Sequence, residues 1–174
     1  MKKLFISLTL TLAITSLIAG KSLAQVQLPE VTVTTTSTGA VVDQKITDAF
    51  SKSFSTASNM QWYSVDNNKR YLVNFTMDDL RNHVLYTKKG AIIYHIIYGF
   101  EKNLPMTLNS QVKGKYGAYS ITSAINVKQN QRNIWMINLE DTKGYVLVRM
   151  ADGQMDEMRK ITKAQLELVG LAKN

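Results

Sequence analysis

Residues Arg70 to Tyr98, RYLVNFTMDDLRNHVLYTKKGAIIYHIIY, carry the reading of the fold. Tyr71, Val73 and Phe75 alternate with Leu72, Asn74 and Thr76, the period of two of a half-buried strand. Asp78-Asp79-Leu80-Arg81 reads as a polar turn, Asn82 to Thr87 as the next strand, and Lys88-Lys89-Gly90 as a tight hairpin turn. Ala91 to Tyr98 is apolar on both faces, Ile92 and Ile96 against Ile93 and Ile97. It is therefore expected near the middle of the sheet, with material covering each side.

Upstream, Met60 to Val65 adds a strand with Trp62 and Tyr63, closed by the turn Asp66-Asn67-Asn68-Lys69. Before it the period changes. Val42, Ile46, Ala49, Phe50 and Phe54 fall on one face of a helix, and Thr56 to Asn59 is its polar stop. Downstream the same order begins again. Asn103 and Pro105 open a second helix with Leu104, Leu108 and Val112 on one face, and Gly114 and Gly117 are expected to end it. Strands follow at Tyr119 to Val127, Asn133 to Leu139, Tyr145 to Met150 and Gln154 to Ile161. Their turns are Lys128-Gln129-Asn130, Glu140 to Gly144 and Ala151-Asp152-Gly153. Thr162 with Gln165 forms a capping box for a short terminal helix carrying Leu166 and Val169.

This order is an internal repeat. Tyr71, Val73 and Phe75 match Trp135, Ile137 and Leu139 at an offset of 64, and Val84, Leu85 and Gly90 match Leu147, Val148 and Gly153 at 63. A single helix on four strands buries little by itself. The expected fold is α+β: two tandem helix-plus-four-strand antiparallel repeats, forming one curved sheet with helices on one side. The repeat domain spans 41–162, with halves at about 41–99 and 103–161, and residues 163–174 form the terminal helix.

Residues 1–24 have the layout of an export signal. Lys2 and Lys3 precede an apolar run from Leu4 to Ile18, and Ser22-Leu23-Ala24 sets small residues before a cleavage site after Ala24. The run is shorter than the roughly 20 residues that span a bilayer. No second such run follows, so no membrane span is expected once the signal is cleaved. The expected location is periplasmic or secreted. Residues 25–40 are a Thr/Ser-rich lead-in.

The 174-residue chain has no Cys, two His and 45% apolar residues, which excludes thiolate metal sites, a cysteine nucleophile and a disulfide scaffold. His83 and His95 lie on different strands, with no carboxylate at ligand spacing beside either. Asp78-Asp79 and Glu140-Asp141 fall in turns, where Asp serves the backbone. With Asp156-Glu157, none of the acidic pairs shows the spacing of an EF-hand loop. No phosphate loop, nucleophile elbow or zinc helix is present. The expectation is a protein that is not an enzyme and uses no cofactor or metal.

Several of these motifs resemble one family. A helix ending in Phe-x-x-x-Phe (Phe50, Phe54) leads into Asn-Met-Gln-Trp (Asn59 to Trp62), then Tyr-x-Val-x-Phe (Tyr71, Val73, Phe75) and Tyr-x-x-x-Gly (Tyr86, Gly90). The pattern resembles the PepSY-like, β-lactamase-inhibitor-protein-like proteins exported by Bacteroidetes-type bacteria, over about Val42 to Ile161. The second half departs from it, with Asn126 where Trp62 would map. The resemblance implies an exported protein. It also implies an open sheet face used to grip a protein partner, because the relatives that named the fold hold an enzyme there. The motifs carrying it are structural, so no inhibitory residue transfers.

The remaining lead is aromatic and basic. Strand aromatics bury large area at low entropy cost when a partner docks. The candidate partner-binding residues are Tyr63, Tyr86, Tyr94, Tyr98, Lys88, Lys89, Lys128 and Arg132. Tyr71, Phe75 and Trp135 are expected under the helices. If Tyr94 and Tyr98 share the open face, Ile92 and Ile96 are expected beside them. The net charge of +8 is concentrated: Arg81 to Arg132 holds eight basic residues against Glu101 alone. The function expected is an exported, non-catalytic module that recognises a protein through the open sheet face, and the basic middle of the chain suits an acidic partner. The alternative is a glycan or an anionic envelope surface. Nucleic acid is not expected as a partner of an exported chain.

Overall fold

The structure is a computed structural model and describes residues 41–168, with side chains described to Leu166. The export signal, the lead-in and Val169 lie outside the described residues. The chain runs α1 (Gln44–Ser53), β1 (Ser58–Val65), β2 (Arg70–Met77), β3 (Leu80–Thr87), β4 (Ile92–Gly99), a 3-10 turn (Glu101–Asn103), α2 (Met106–Lys115), β5 (Ser120–Gln129), β6 (Arg132–Glu140), β7 (Gly144–Ala151), β8 (Gln154–Thr162) and α3 (Lys163–Leu168). The eight strands form one antiparallel sheet in sequence order. The class is α+β, an open sheet with a few helices.

Local chemistry sets most boundaries. Asp43 caps α1 by accepting a hydrogen bond from the Lys45 amide at 3.0 Å. Three hairpins close through two-residue turns, Asp78-Asp79, Asn130-Gln131 and Asp152-Gly153, with positive φ at both positions. That is the turn geometry whose twist matches the strands it joins, and Asp, Asn and Gly tolerate it best. The Asp78-Asp79 turn is shorter than expected, so β3 begins at Leu80 rather than Asn82. Because Asn130 and Gln131 take the left-handed positions, β5 runs through Lys128, which the sequence reading placed in the turn. The Thr162–Gln165 capping box forms as read: the Thr162 amide donates to Gln165 Oε1 at 2.9 Å, and the Gln165 amide to Thr162 Oγ1 at 3.2 Å.

The second helix differs from its sequence reading. Asn103 serves the 3-10 turn, its side-chain oxygen accepting from the Phe100 amide at 2.9 Å, and α2 starts after Pro105. Gly114 lies inside α2, in its exposed last turn, and Tyr116 ends the helix by packing inward. The Tyr116 hydroxyl then donates to Glu157 Oε2 at 3.0 Å, tying α2 to β8.

Both helices cover the same face of the sheet. Ile46, Phe50 and Phe54 pack on Tyr71, Val73, Phe75, Val84 and Tyr86. Leu104, Val112 and Tyr116 pack on Ala124, Ile137, Leu139, Val146, Val148 and Met150. The Phe50 ring stands 5.0 Å from Phe75 and 5.3 Å from both Phe54 and Trp62. Trp135 packs half-buried against the α2 cluster, as alternation predicts.

Candidate binding surface

The strand register builds the face away from the helices. One row of directly opposed residues crosses seven strands: Thr76, Arg81, Tyr98, Ile125, Met136, Arg149 and Asp156. The next row in that direction is Gln61, Asn74, His83, Ile96, Val127 and Ile134. A third runs Tyr63, Leu72, Leu85 and Tyr94. Neighbours on one face of a sheet stand close enough to pack as pairs.

Burial divides these rows into a packed middle and an accessible rim. Leu85, Tyr94, Ile96, Val127 and Ile134 are buried, whereas Tyr63, Leu72, His83, Tyr98, Ile125 and Met136 are half-buried and Arg81 is exposed. Tyr98 is held from two sides. The Arg81 guanidinium lies 4.3 Å from its ring centroid, a cation–π contact, and its hydroxyl is 3.2 Å from His83 Nδ1. Burial, then the Arg81 charge, pushes the His83 pKa down, so the imidazole stays neutral beside a fixed cation. Burial pushes the Tyr94 hydroxyl up; nearby Tyr98 adds to that and Arg70 opposes it. Arg149 is 5% exposed and donates to Asp156 Oδ2 at 2.8 Å. By register this face carries Arg70, Arg81, Arg132, Arg149 and Arg159 against Glu140 and Asp156; Arg70 pairs with Asp66, Arg132 with Asp152 and Arg149 with Asp156.

The eight candidate residues do not form one site. Tyr63, Tyr94 and Tyr98 share the face just described. Tyr86 does not. It opposes Tyr71, lies under α1 with no exposed surface, and is core. Its hydroxyl is buried without a hydrogen-bond partner among the described residues, and burial raises its pKa to about 12. Lys88 and Lys89 are exposed at the β3–β4 turn. Lys128 opposes His95 on the helix side, whereas Arg132 falls by register on the side of Ile134, at the end of the β5–β6 hairpin, in a 2.5 Å ion pair with Asp152. Ile92 does not join Tyr94 and Ile96, because a bulge between Leu85 and Tyr86 places Ile92 opposite Tyr86 instead.

The sequence reading missed Arg81, Ile125, Met136 and Arg149. Two-residue turns fix hairpin register, so Thr76–Arg81 and Ile125–Met136 are pairs obtainable by counting outward from the turns. The β3–β4 bulge breaks that counting and hid the Arg81–Tyr98 pair.

No catalytic constellation is assembled from the singled-out groups. His83 and His95 point to opposite faces. Asp78 and Asp79 occupy the turn, and Asp141 accepts from the Lys143 and Gly144 amides at 2.8 and 2.7 Å. Among the described residues no group of three or more His, Asp or Glu is placed to hold a metal. No described helix is long and apolar enough to cross a membrane.

Comparison with known proteins places the fold. No protein-family model matches the chain, and no curated protein matches it. Solved structures do. A DUF2874 family protein from Bacteroides ovatus aligns with TM-score 0.55 at 15% identity, over 71% of this chain and 89% of its own. A BLIP-like protein from Bacteroides fragilis aligns with TM-score 0.55 at 13% identity, over 71% and 88%. A second DUF2874 family protein, from Bacteroides uniformis, gives 0.53 at 11%, over 70% and 89%. At these identities the likeness shows a shared BLIP-like fold.

Proposed function

We propose that this chain is an exported, non-catalytic binding module that docks an acidic protein surface on the sheet face opposite its helices. One observation carries the reading: exposed Arg81 and half-buried Tyr98, Ile125 and Met136 stand directly opposed across four adjacent strands, on the face neither α1 nor α2 covers. Aromatic, Met and Arg side chains are the types enriched at interface centres. Arg81, exposed on this face, favours a partner surface of opposite charge. Export rests on the layout of residues 1–24, and the BLIP-like fold is consistent with it. We also read the two helix-plus-four-strand halves as copies of one unit. Tyr71, Val73 and Phe75 face α1 as Trp135, Ile137 and Leu139 face α2.

Charge reversal tests the docking face. Capture of a partner from the host envelope is expected to fail with Arg81→Glu and to persist with Lys115→Glu, which alters the exposed end of α2. Equal capture by both variants would overturn the reading.

A further inference from the structure

The other side of the sheet has a gap between its two helices. α1 packs on β2 and β3, with Phe54 reaching His95 of β4, and α2 packs on β5, β6 and β7, so that among the described residues neither helix cluster includes Ile97, Asn126 or Asn133 between them. A cavity of about 310 Å³ opens there, lined by Leu80, Ile97, Asn126, Lys128, Asn133 and Trp135 among others. It shares Lys128 and Asn133 with a cavity of about 380 Å³ beside the β5–β6 turn. It shares Asn133 and Trp135 with one of about 240 Å³ against the start of α2. Three depressions thus meet at Asn133.

Three groups define the chemistry of this groove. Asn126 is 3% exposed, and its amide nitrogen donates to Asn133 Oδ1 at 2.5 Å and to the Ile134 carbonyl at 3.3 Å. Its side-chain oxygen accepts no hydrogen bond among the described residues, and the residue lines the groove. Lys128 is exposed and has no carboxylate partner among the described residues. The ionisable group it acts on is His95, which burial keeps neutral and Lys128 keeps so further. Trp135 is half-buried and contributes an indole to the groove.

We propose that this groove binds an acidic saccharide. Side-chain amides both donate and accept, which suits sugar hydroxyls. An indole face packs against the apolar face of a pyranose ring, and one unpaired ammonium holds one carboxylate. An apolar ligand would leave the amides unsatisfied. A nucleic acid would need a row of cations rather than one. The site is independent of the docking face, because it lies on the opposite side of the sheet.

Titration of the purified protein with a glucuronate disaccharide, its neutral glucose counterpart and acetate tests the proposal by NMR. The acidic disaccharide is expected to shift the Trp135 indole N–H and the Asn126 and Asn133 side-chain amides and to saturate. Lys128→Gln is expected to weaken that binding about tenfold while leaving the neutral sugar unchanged. Lys128 is exposed, so this variant leaves the core intact. No shift with the acidic disaccharide, equal binding of both sugars, or the same saturation with acetate alone would each overturn the proposal. None of these outcomes touches the Arg81 comparison, so the two readings fail separately.

Discussion

Asn82 Oδ1 lies 2.8 Å from His95 Nε2, a buried polar pair at 1% and 7% exposure among the rings of the α1 cluster. The Asn82 amide donates to the Leu80 carbonyl at 2.8 Å, which leaves its oxygen to accept and puts the proton of neutral His95 on Nε2. Phe54 and Phe75 stand 5.1 and 6.3 Å from the imidazole. Burial first, then the Lys128 charge, lowers the His95 pKa from 6.5 to about 4.

That shift predicts a pH dependence of stability. Between pH 6.5 and about 4 the unfolded chain binds a proton at His95 that the folded chain does not. Stability therefore falls as pH falls through this window and is flat with respect to His95 above it, by about 3 kcal/mol in all. His83 shifts in the same direction, so the difference between the protein and His95→Gln isolates His95. Urea midpoints at pH 7.5 and 4.5 are expected to lie closer together in the variant. An unchanged separation would contradict the assignment.

Phe50 is the hub of the first core cluster, in ring contact with Phe54, Trp62 and Phe75. Phe50→Ala is expected to destabilise by about 3–5 kcal/mol. Chemical denaturation reads this directly, and a loss under 1 kcal/mol would mean that α1 does not seal the sheet.

The three two-residue turns carry different residues at their second position, where φ is 59° for Asp79, 62° for Gln131 and 76° for Gly153. Only glycine is unstrained there. Gln131→Gly is expected to stabilise by up to about 1 kcal/mol, the relief of strain being offset in part by a freer unfolded chain. A lower melting temperature would contradict this turn geometry.

Gly144 opens β7 against the end of β8. A Cβ there would run into the Ile161 carbonyl and lie 3.0 Å from Thr162 Cα. Gly144→Ala is expected to cost about 1–3 kcal/mol and to speed hydrogen exchange in β8 ahead of β2. Uniform exchange rates would place the strain elsewhere.

These residues also show what was legible in the sequence. Period-two alternation in Tyr71–Val73–Phe75 and the 3.6 period through Ile46, Phe50 and Phe54 identified the elements and the face under α1, because burial of one face dictates both patterns. Strand order followed from short turns. The site was harder to read. Tyr86 reads as a candidate partner-binding residue because β3 sets apolar beside apolar, Val84 against Leu85, so alternation leaves its side open and only the pairing with Tyr71 decides it. The β3–β4 bulge shifted Ile92 out of phase. The His95–Asn82 pair depends on β3–β4 pairing that the bulge concealed, and the Lys128 groove on how far apart two helices sit.

The central claim is that a protein partner docks on the sheet face opposite the helices, and site-specific photocrosslinking in the living host tests it most directly. A photoreactive residue in place of Tyr98 is expected to trap one defined protein, and the same residue in place of Lys115 on the helix side to trap none. Combining the Tyr98 probe with Arg81→Glu is expected to abolish the product. No crosslinked protein from position 98, or the same protein from both positions, would contradict the account.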